Sequence, residues 1–161
     1  LDAGLAAAAV HAGLRVAGEL DVTGVLAVEL FEVEGADGTP AFVVNELAMR
    51  PHNSGHWSIE GATTSQFENH LRAVLDLPLG SPAMVAPAAV MVNILGGDVG
   101  NLYSAYRHVL ARDPGIKVHL YGKDVRPGRK VGHVTVVGRD HEELLARGRH
   151  AADYFAGVID E

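Results

Sequence analysis

Thirteen consecutive residues carry two amides, a carboxylate, a guanidinium, a hydroxyl and two imidazoles: Asn45-Glu46-Leu47-Ala48-Met49-Arg50-Pro51-His52-Asn53-Ser54-Gly55-His56-Trp57. Such a set can bind an anion, hold a cation or move a proton. The apolar run Phe42-Val43-Val44 leads into it. Polar density that begins where a strand ends is better explained by ligand contact than by folding. The plainer alternative is a polar surface loop with a helix cap. His52 and His56 have the i, i+4 spacing of a zinc helix, but Pro51, Asn53, Ser54 and Gly55 are poor helix formers and no third ligand stands nearby. A loop in which Arg50, His52, Asn53 and Ser54 hydrogen-bond an anion fits these residues better. Trp57 would either cover the site or pack beneath it, and packing is the expected role.

A further carboxylate is brought in by a hairpin. Asp37-Gly38 is a strong two-residue turn signal, because a type I′ turn needs positive φ at both central positions. Partners across such a hairpin have numbers summing to 75, so Gly35 would face Pro40 and Glu29 would face Glu46. The Cβ atoms of the two glutamates would then be roughly 5 Å apart. Glu29 shares a strand face with Val25, Ala27, Phe31 and Val33, and Glu46 with Phe42 and Val44. Two carboxylates opposed on an apolar face repel each other and lose hydration. A shared proton, a nearby Lys or Arg, or a bridging cation would relieve this. With no thiol in the chain, oxygen ligands favour magnesium or manganese, with a phosphate completing the shell. A register slipped by one residue, or a solvated face, would remove the conflict altogether.

The second dense patch is Tyr121-Gly122-Lys123-Asp124-Val125-Arg126-Pro127-Gly128-Arg129-Lys130-Val131-Gly132-His133. Four of the chain's 13 Lys and Arg fall within it in a protein of net charge −7. A turn at Pro127-Gly128 can converge Lys123, Arg126, Arg129 and Lys130 on one anion, and guanidinium groups suit phosphate. A solvated basic hairpin tip is the alternative.

The elements that must position these patches alternate along the chain. Helical spacing of Leu5, Ala8, Ala9, Ala12, Val16 and Leu20 predicts a helix over 1–20, and a strand follows over 25–34. Thr63-Thr64-Ser65-Gln66 starts a helix with Phe67, His70, Leu71, Val74 and Leu75 on its buried side, His70 as a structural histidine. Residues 77–87, with Pro78, Gly80, Pro82 and Pro87, form a linker and mark a boundary between domains 1–80 and 81–161. Strands are expected over 88–95, 117–121 and 134–137. Helices are expected over 101–112 and 140–158, the latter capped by Asp140 with Glu143 three residues on. Neither an internal repeat nor a Walker-type or dinucleotide-type glycine loop is present.

Composition limits the functional classes. A hydrophobic content of 48% with 20% charged residues is that of a globular protein with a core. No run of about 18 apolar residues is present to span a membrane. The absence of cysteine fits a cytoplasmic protein, and the acidic balance argues against nucleic-acid binding. A chain that opens with Leu1 inside a helical pattern is expected to be part of something longer.

The two patches carry a family resemblance. Asn45 to Trp57, followed by Glu60-Gly61-Ala62-Thr63-Thr64-Ser65-Gln66-Phe67-Glu68, resembles the carboxyaminoimidazole ribonucleotide synthases, ATP-grasp enzymes of de novo purine biosynthesis. Arg126 to His133 resembles the same family's C-terminal signature, and the similarity runs over essentially all 161 residues. Met49 departs from the pattern, since the family usually has proline there. The resemblance implies an α+β fold: the C-terminal half of an ATP-grasp fold, with an antiparallel sheet and helices, followed by a small β-rich C-terminal domain.

It also implies an activity. The family uses ATP to activate bicarbonate as carboxyphosphate, then carboxylates the exocyclic amine of aminoimidazole ribonucleotide. Glu29 and Glu46 match the magnesium ligands, and Asn45 a residue beside the ATP phosphates. Arg50, His52 and Asn53 match the loop around bicarbonate or carboxyphosphate. Lys123, Arg126, Arg129 and Lys130 match the basic segment near the ribonucleotide phosphate. Full-length members are homodimers with an N-terminal half that grips the substrates and ATP, so this chain alone is expected to be inactive. The alternatives are a non-catalytic anion- or nucleotide-binding module, or another ATP-grasp ligase of purine biosynthesis.

Overall fold

The computed structural model describes residues 3–36 and 38–160. Its chain separates into two compact units, Leu1–His56 with Gln66–Gly80, and Trp57–Ser65 with Ser81–Glu161. No helix among the described residues is long and apolar enough to cross a membrane.

The first unit is built on helix α1 (Ala3–Glu19), the antiparallel pair β1 (Ala27–Glu34) and β2 (Pro40–Ala48), and helix α3 (Gln66–Val74). Helix α1 lies on the sheet face that carries Val28, where Gly13 comes close to the Val28 methyl. Neighbouring strand residues point to opposite faces, so Glu29 is on the face that α1 leaves open. Within α1 only Leu5 is buried, and Leu20, just past the helix end, is exposed.

The hairpin differs from its expected form in two compensating ways. Pro40 pairs with Glu34 rather than Gly35, and Gly35 donates its N–H to Thr39 O at 2.8 Å. The turn is therefore one residue longer, with Gly38 at φ +77° accommodating the left-handed position. Asp37, the other half of the turn signal, lies outside the described residues. Between Leu30↔Val44 and Glu29↔Glu46 the register shifts at Asn45, a β-bulge that returns one residue to β2. The two offsets cancel, and Glu29 does face Glu46. The bulge also changes which neighbours Glu46 has. Phe31 and Val43 form a cross-strand pair on the Glu29 face, in place of Phe42 and Val44, and they are 57% and 49% exposed.

The expectation for α3 is corrected. Its buried residue is Asn69, whose amide holds Gly80 through both N–H (2.8 Å) and O (3.2 Å). Phe67, Leu71, Val74 and Leu75 are exposed. Amphipathic spacing identifies an apolar face but not what covers it.

The second unit has its core in the three-stranded antiparallel sheet β3–β5–β4: β3 (Ala88–Leu95), β4 (Lys117–Leu120) and β5 (Lys130–Gly138). Helix α5 (His141–Ala156) packs on β3 and β5, beside a 3-10 turn (Leu102–Ala105) that runs into α4 (Tyr106–Arg112). Phe155, Ile94, Ile116, Leu144 and Val134 close the core. Asp140 caps α5 by accepting the Glu143 N–H at 2.9 Å, the cap expected from sequence. A single helical turn, α2 (Ser58–Gly61), also belongs to this unit and touches β5.

Candidate functional site

The bulge at Asn45 assembles a polar cluster in the first unit. Because a bulge places two successive side chains on one side of a strand, Asn45 and Glu46 both meet Glu29. The Asn45 amide donates to Glu29 Oε2 at 3.2 Å. His52, four residues beyond the end of β2, brings Nε2 to 2.9 Å from Glu29 Oε1. One ligand atom from each of Glu29, Glu46 and His52 falls within 4.8 Å of the others. Glu46 has no hydrogen-bond or ion-pair partner among the described residues.

His52 is fixed from all sides. Its Nδ1 meets Ser54 Oγ at 2.9 Å, and its backbone N–H and C=O are both taken by the Gln66 amide, at 2.9 and 2.8 Å. The same Gln66 nitrogen reaches His56 Nδ1 at 2.8 Å. Gly55 sits directly over Gln66, where a Cβ would overlap the amide oxygen. A 3-10 turn, Asn53–Gly55, results, with His52 as its cap. With Nδ1 accepting from the Ser54 hydroxyl, the imidazole presents its Nε2 side to Glu29. Sequence reading placed Gln66 only at a helix start; nothing local signals that its amide reaches back fourteen residues to hold His52.

The residues fit a divalent cation. Two carboxylates are opposed on an open face, the Glu29 side chain is 40% exposed, and the His52 imidazole stands against Glu29. This donor set leaves room for water and phosphate oxygens, as a hard cation requires. His56 is not part of this group, and its Nδ1 is met by the Gln66 amide. Arg50 is exposed and bonds its neighbour Pro51 O at 3.1 Å, with no hydrogen bond or ion pair to Glu29 or Glu46.

The basic segment forms a separate group in the second unit. Arg126, Gly128 and Arg129 turn around the backbone of Gly96: Gly96 N–H donates to Arg129 O at 2.7 Å, and Gly128 N–H to Gly96 O at 2.9 Å. Only glycine fits at Gly96, since a Cβ there would overlap Arg126 O. Arg129 also donates to Asp124 O at 3.2 Å. Lys130 opens β5, while Lys123 lies over the Tyr121 ring, 5.2 Å from its centroid. Lys123 borders a cavity of about 610 Å³ lined in part by Asn101, Tyr103 and Asp124. The four cations thus occupy one turn and its flanks, and Arg126, Arg129 and Lys123 are exposed.

Two family models match the chain, one in each part of the sequence. Residues 1–67 match the ATP-grasp domain model, and residues 89–147 match the phosphoribosylaminoimidazole carboxylase C-terminal domain. The N5-carboxyaminoimidazole ribonucleotide synthase of Mycobacterium tuberculosis is 55% identical over 155 residues, covering 94% of this chain and 35% of the relative. The crystal structure of the synthetase from Thermotoga maritima superposes with a TM-score of 0.74 at 38% identity, over 96% of this chain and 42% of that one. A synthase structure from Aspergillus clavatus, in complex with ADP and 5-aminoimidazole ribonucleotide, matches 82% of this chain and 35% of its own length, with a TM-score of 0.65 and 38% identity. The chain spans about a third of the length of the curated relatives it matches, in their C-terminal portion. By the two domain models and this identity along nearly its whole length, the chain belongs to the N5-carboxyaminoimidazole ribonucleotide synthase family of ATP-grasp enzymes.

Proposed function

We propose that the protein supplies the magnesium- and phosphate-binding part of an ATP-dependent carboxylase that makes carboxyaminoimidazole ribonucleotide. The observation that carries this reading is the Glu29–Glu46 opposition at the Asn45 bulge, with His52 held against it. Residues 1–80 form the C-terminal part of the ATP-grasp domain in this reading, and residues 81–161 the small C-terminal domain. The matches of residues 1–67 and 89–147 support that division.

Glu29 and Glu46 would hold magnesium or manganese, which supplies charge neutralisation across the ATP phosphates. Asn45 donates its amide beside those phosphates. A bicarbonate oxygen attacks the γ-phosphorus and ADP leaves, giving carboxyphosphate. Arg50, His52 and Asn53 stabilise the negative charge on the bicarbonate and on the transferring group. The exocyclic amine of aminoimidazole ribonucleotide then attacks the carboxyl carbon, phosphate departs, and the amine loses a proton. Lys123, Arg126, Arg129 and Lys130 neutralise the ribonucleotide phosphate, which anchors the substrate while its amine reacts. The remaining ATP and substrate contacts, a homodimeric assembly and a cytoplasmic setting belong to the same proposal.

Calorimetric titration of this chain with magnesium and ATP tests it. Saturable, magnesium-dependent binding that Glu29→Ala abolishes is the expected result. Binding that survives Glu29→Ala unchanged would overturn the metal assignment.

A further inference from the structure

His133 closes the basic segment, yet it is 1% exposed and cannot meet a ligand as its cationic neighbours can. It lies on the central strand, across from Asn93 of β3 on one side and His119 of β4 on the other. The His119 and His133 rings stack with centroids 4.6 Å apart at 18°. On its outer side His119 brings Nε2 to 2.7 Å from Glu60 Oε1. The Glu60 side chain is 17% exposed, and its second oxygen is buried without a hydrogen-bond partner. On the other side, His133 Nδ1 is 2.7 Å from the Tyr121 hydroxyl. The Tyr121 ring carries the Lys123 ammonium. One continuous series of contacts therefore joins Glu60, His119, His133, Tyr121 and Lys123.

Polar groups taken out of water are costly unless their bonds are satisfied, so an ordered series of this length needs a use. Lysine carries a long, flexible stem, and holding its charge in one place costs side-chain entropy. A tyrosine ring fixed through its hydroxyl gives the ammonium a rigid surface to rest on. Whichever of Tyr121 and His133 carries the shared proton, the bond sets the angle of the phenol ring.

We infer that His133 and Tyr121, braced by His119 and Glu60, are positioning residues that hold the Lys123 ammonium ready for a ligand phosphate. This rests on the proposed reading of residues 123–130 as a phosphate-binding segment.

The test is titration of this chain with ribose 5-phosphate, followed by calorimetry or NMR, in four forms: unaltered, Tyr121→Phe, Lys123→Ala and the double variant. Tyr121→Phe removes one oxygen and keeps the ring, so it spares the fold, whereas His133 is buried on the central strand; melting temperatures check this. The expected result is a loss of affinity of about threefold in Tyr121→Phe, and a larger loss in Lys123→Ala. In the Lys123→Ala background Tyr121→Phe should add nothing, because Tyr121 acts through the lysine. A Tyr121→Phe effect that persists there marks Tyr121 as merely structural and overturns the inference. An unaltered affinity in Tyr121→Phe overturns it too, with the phosphate reading intact. Should Lys123→Ala bind as the unaltered chain does, the inference fails while the phosphate reading stands on Arg126, Arg129 and Lys130; should the unaltered chain not bind at all, the phosphate reading fails and the inference with it.

Discussion

Glu29 and Glu46 stand directly opposite each other because one extra residue in the turn is matched by one extra residue, Asn45, in β2. The carboxylate of Glu46 has no partner among the described residues and is exposed. Its neutralisation should therefore cost little stability and much activity. At the matching position of a full-length relative, Glu46→Gln is expected to lower the ATPase rate by about a hundredfold or more. Steady-state ATP turnover, read beside a thermal melt, checks this. A near-normal rate would remove Glu46 from the magnesium site.

Gln66 is the residue on which the His52 loop depends. Its amide makes contacts to His52 N, His52 O and His56 Nδ1, and each such bond contributes about 1 kcal/mol net. Gln66→Leu should destabilise the chain by about 1–3 kcal/mol, since it leaves backbone groups of His52 without partners. Magnesium–ATP affinity should fall as well, because His52 would no longer be set against Glu29. Urea unfolding and calorimetry on the same variant separate the two effects. Lost stability with unchanged affinity would show that His52 does not serve the site.

Much of this was legible in the sequence. The cap at Asp140 and the extent of β3 follow from local signals, which local structure obeys. The Glu29–Glu46 pairing also came out of the hairpin count, although through two offsets that cancel: the turn is longer than Asp37-Gly38 implied, and the bulge restores the register. Nothing in the sequence announces that bulge, because the extra residue in β2 shows only in its pairing with β1. The exposed face of α3 was read as buried, since periodicity cannot say whether a covering surface is present. Gln66, Glu60 and His133 were missed as supports for a different reason. Their partners are 14, 59 and 12 residues away, so their roles exist only in the folded chain.

The basic turn should discriminate between substrates. Arg129 and Lys130 follow Gly128 on a turn held by Gly96, in the second unit, whereas Glu29 and Glu46 lie in the first. Replacing both cations with Ala at the matching positions of a full-length relative should raise KM for the ribonucleotide at least tenfold, as two charge-assisted phosphate contacts are lost. KM for ATP should move much less. Equal shifts in both constants would assign the turn a structural role.

Stability at low pH should follow the pairing of Asp113 with Arg147. The guanidinium donates from Nε to Oδ2 at 2.8 Å and from Nη2 to Oδ1 at 2.9 Å, joining the end of α4 to α5. These bonds from Arg147, against the opposing effect of burial, hold the Asp113 carboxyl below its ordinary value of 3.8. A carboxyl depressed in the folded state binds protons more weakly there than in the unfolded chain. Its contribution is therefore complete above the ordinary carboxylate value and is lost as pH falls through the lower, folded value. Arg147 is about a third exposed, so solvent screening limits the contribution to about 1 kcal/mol. Asp113→Asn should be destabilised by that amount at neutral pH, and the gap from the unaltered chain should close as the solution is made acidic. Urea unfolding across the acid range measures the gap, and one that stays constant to the acid limit would show that the charge of Asp113 is not what joins the two helices.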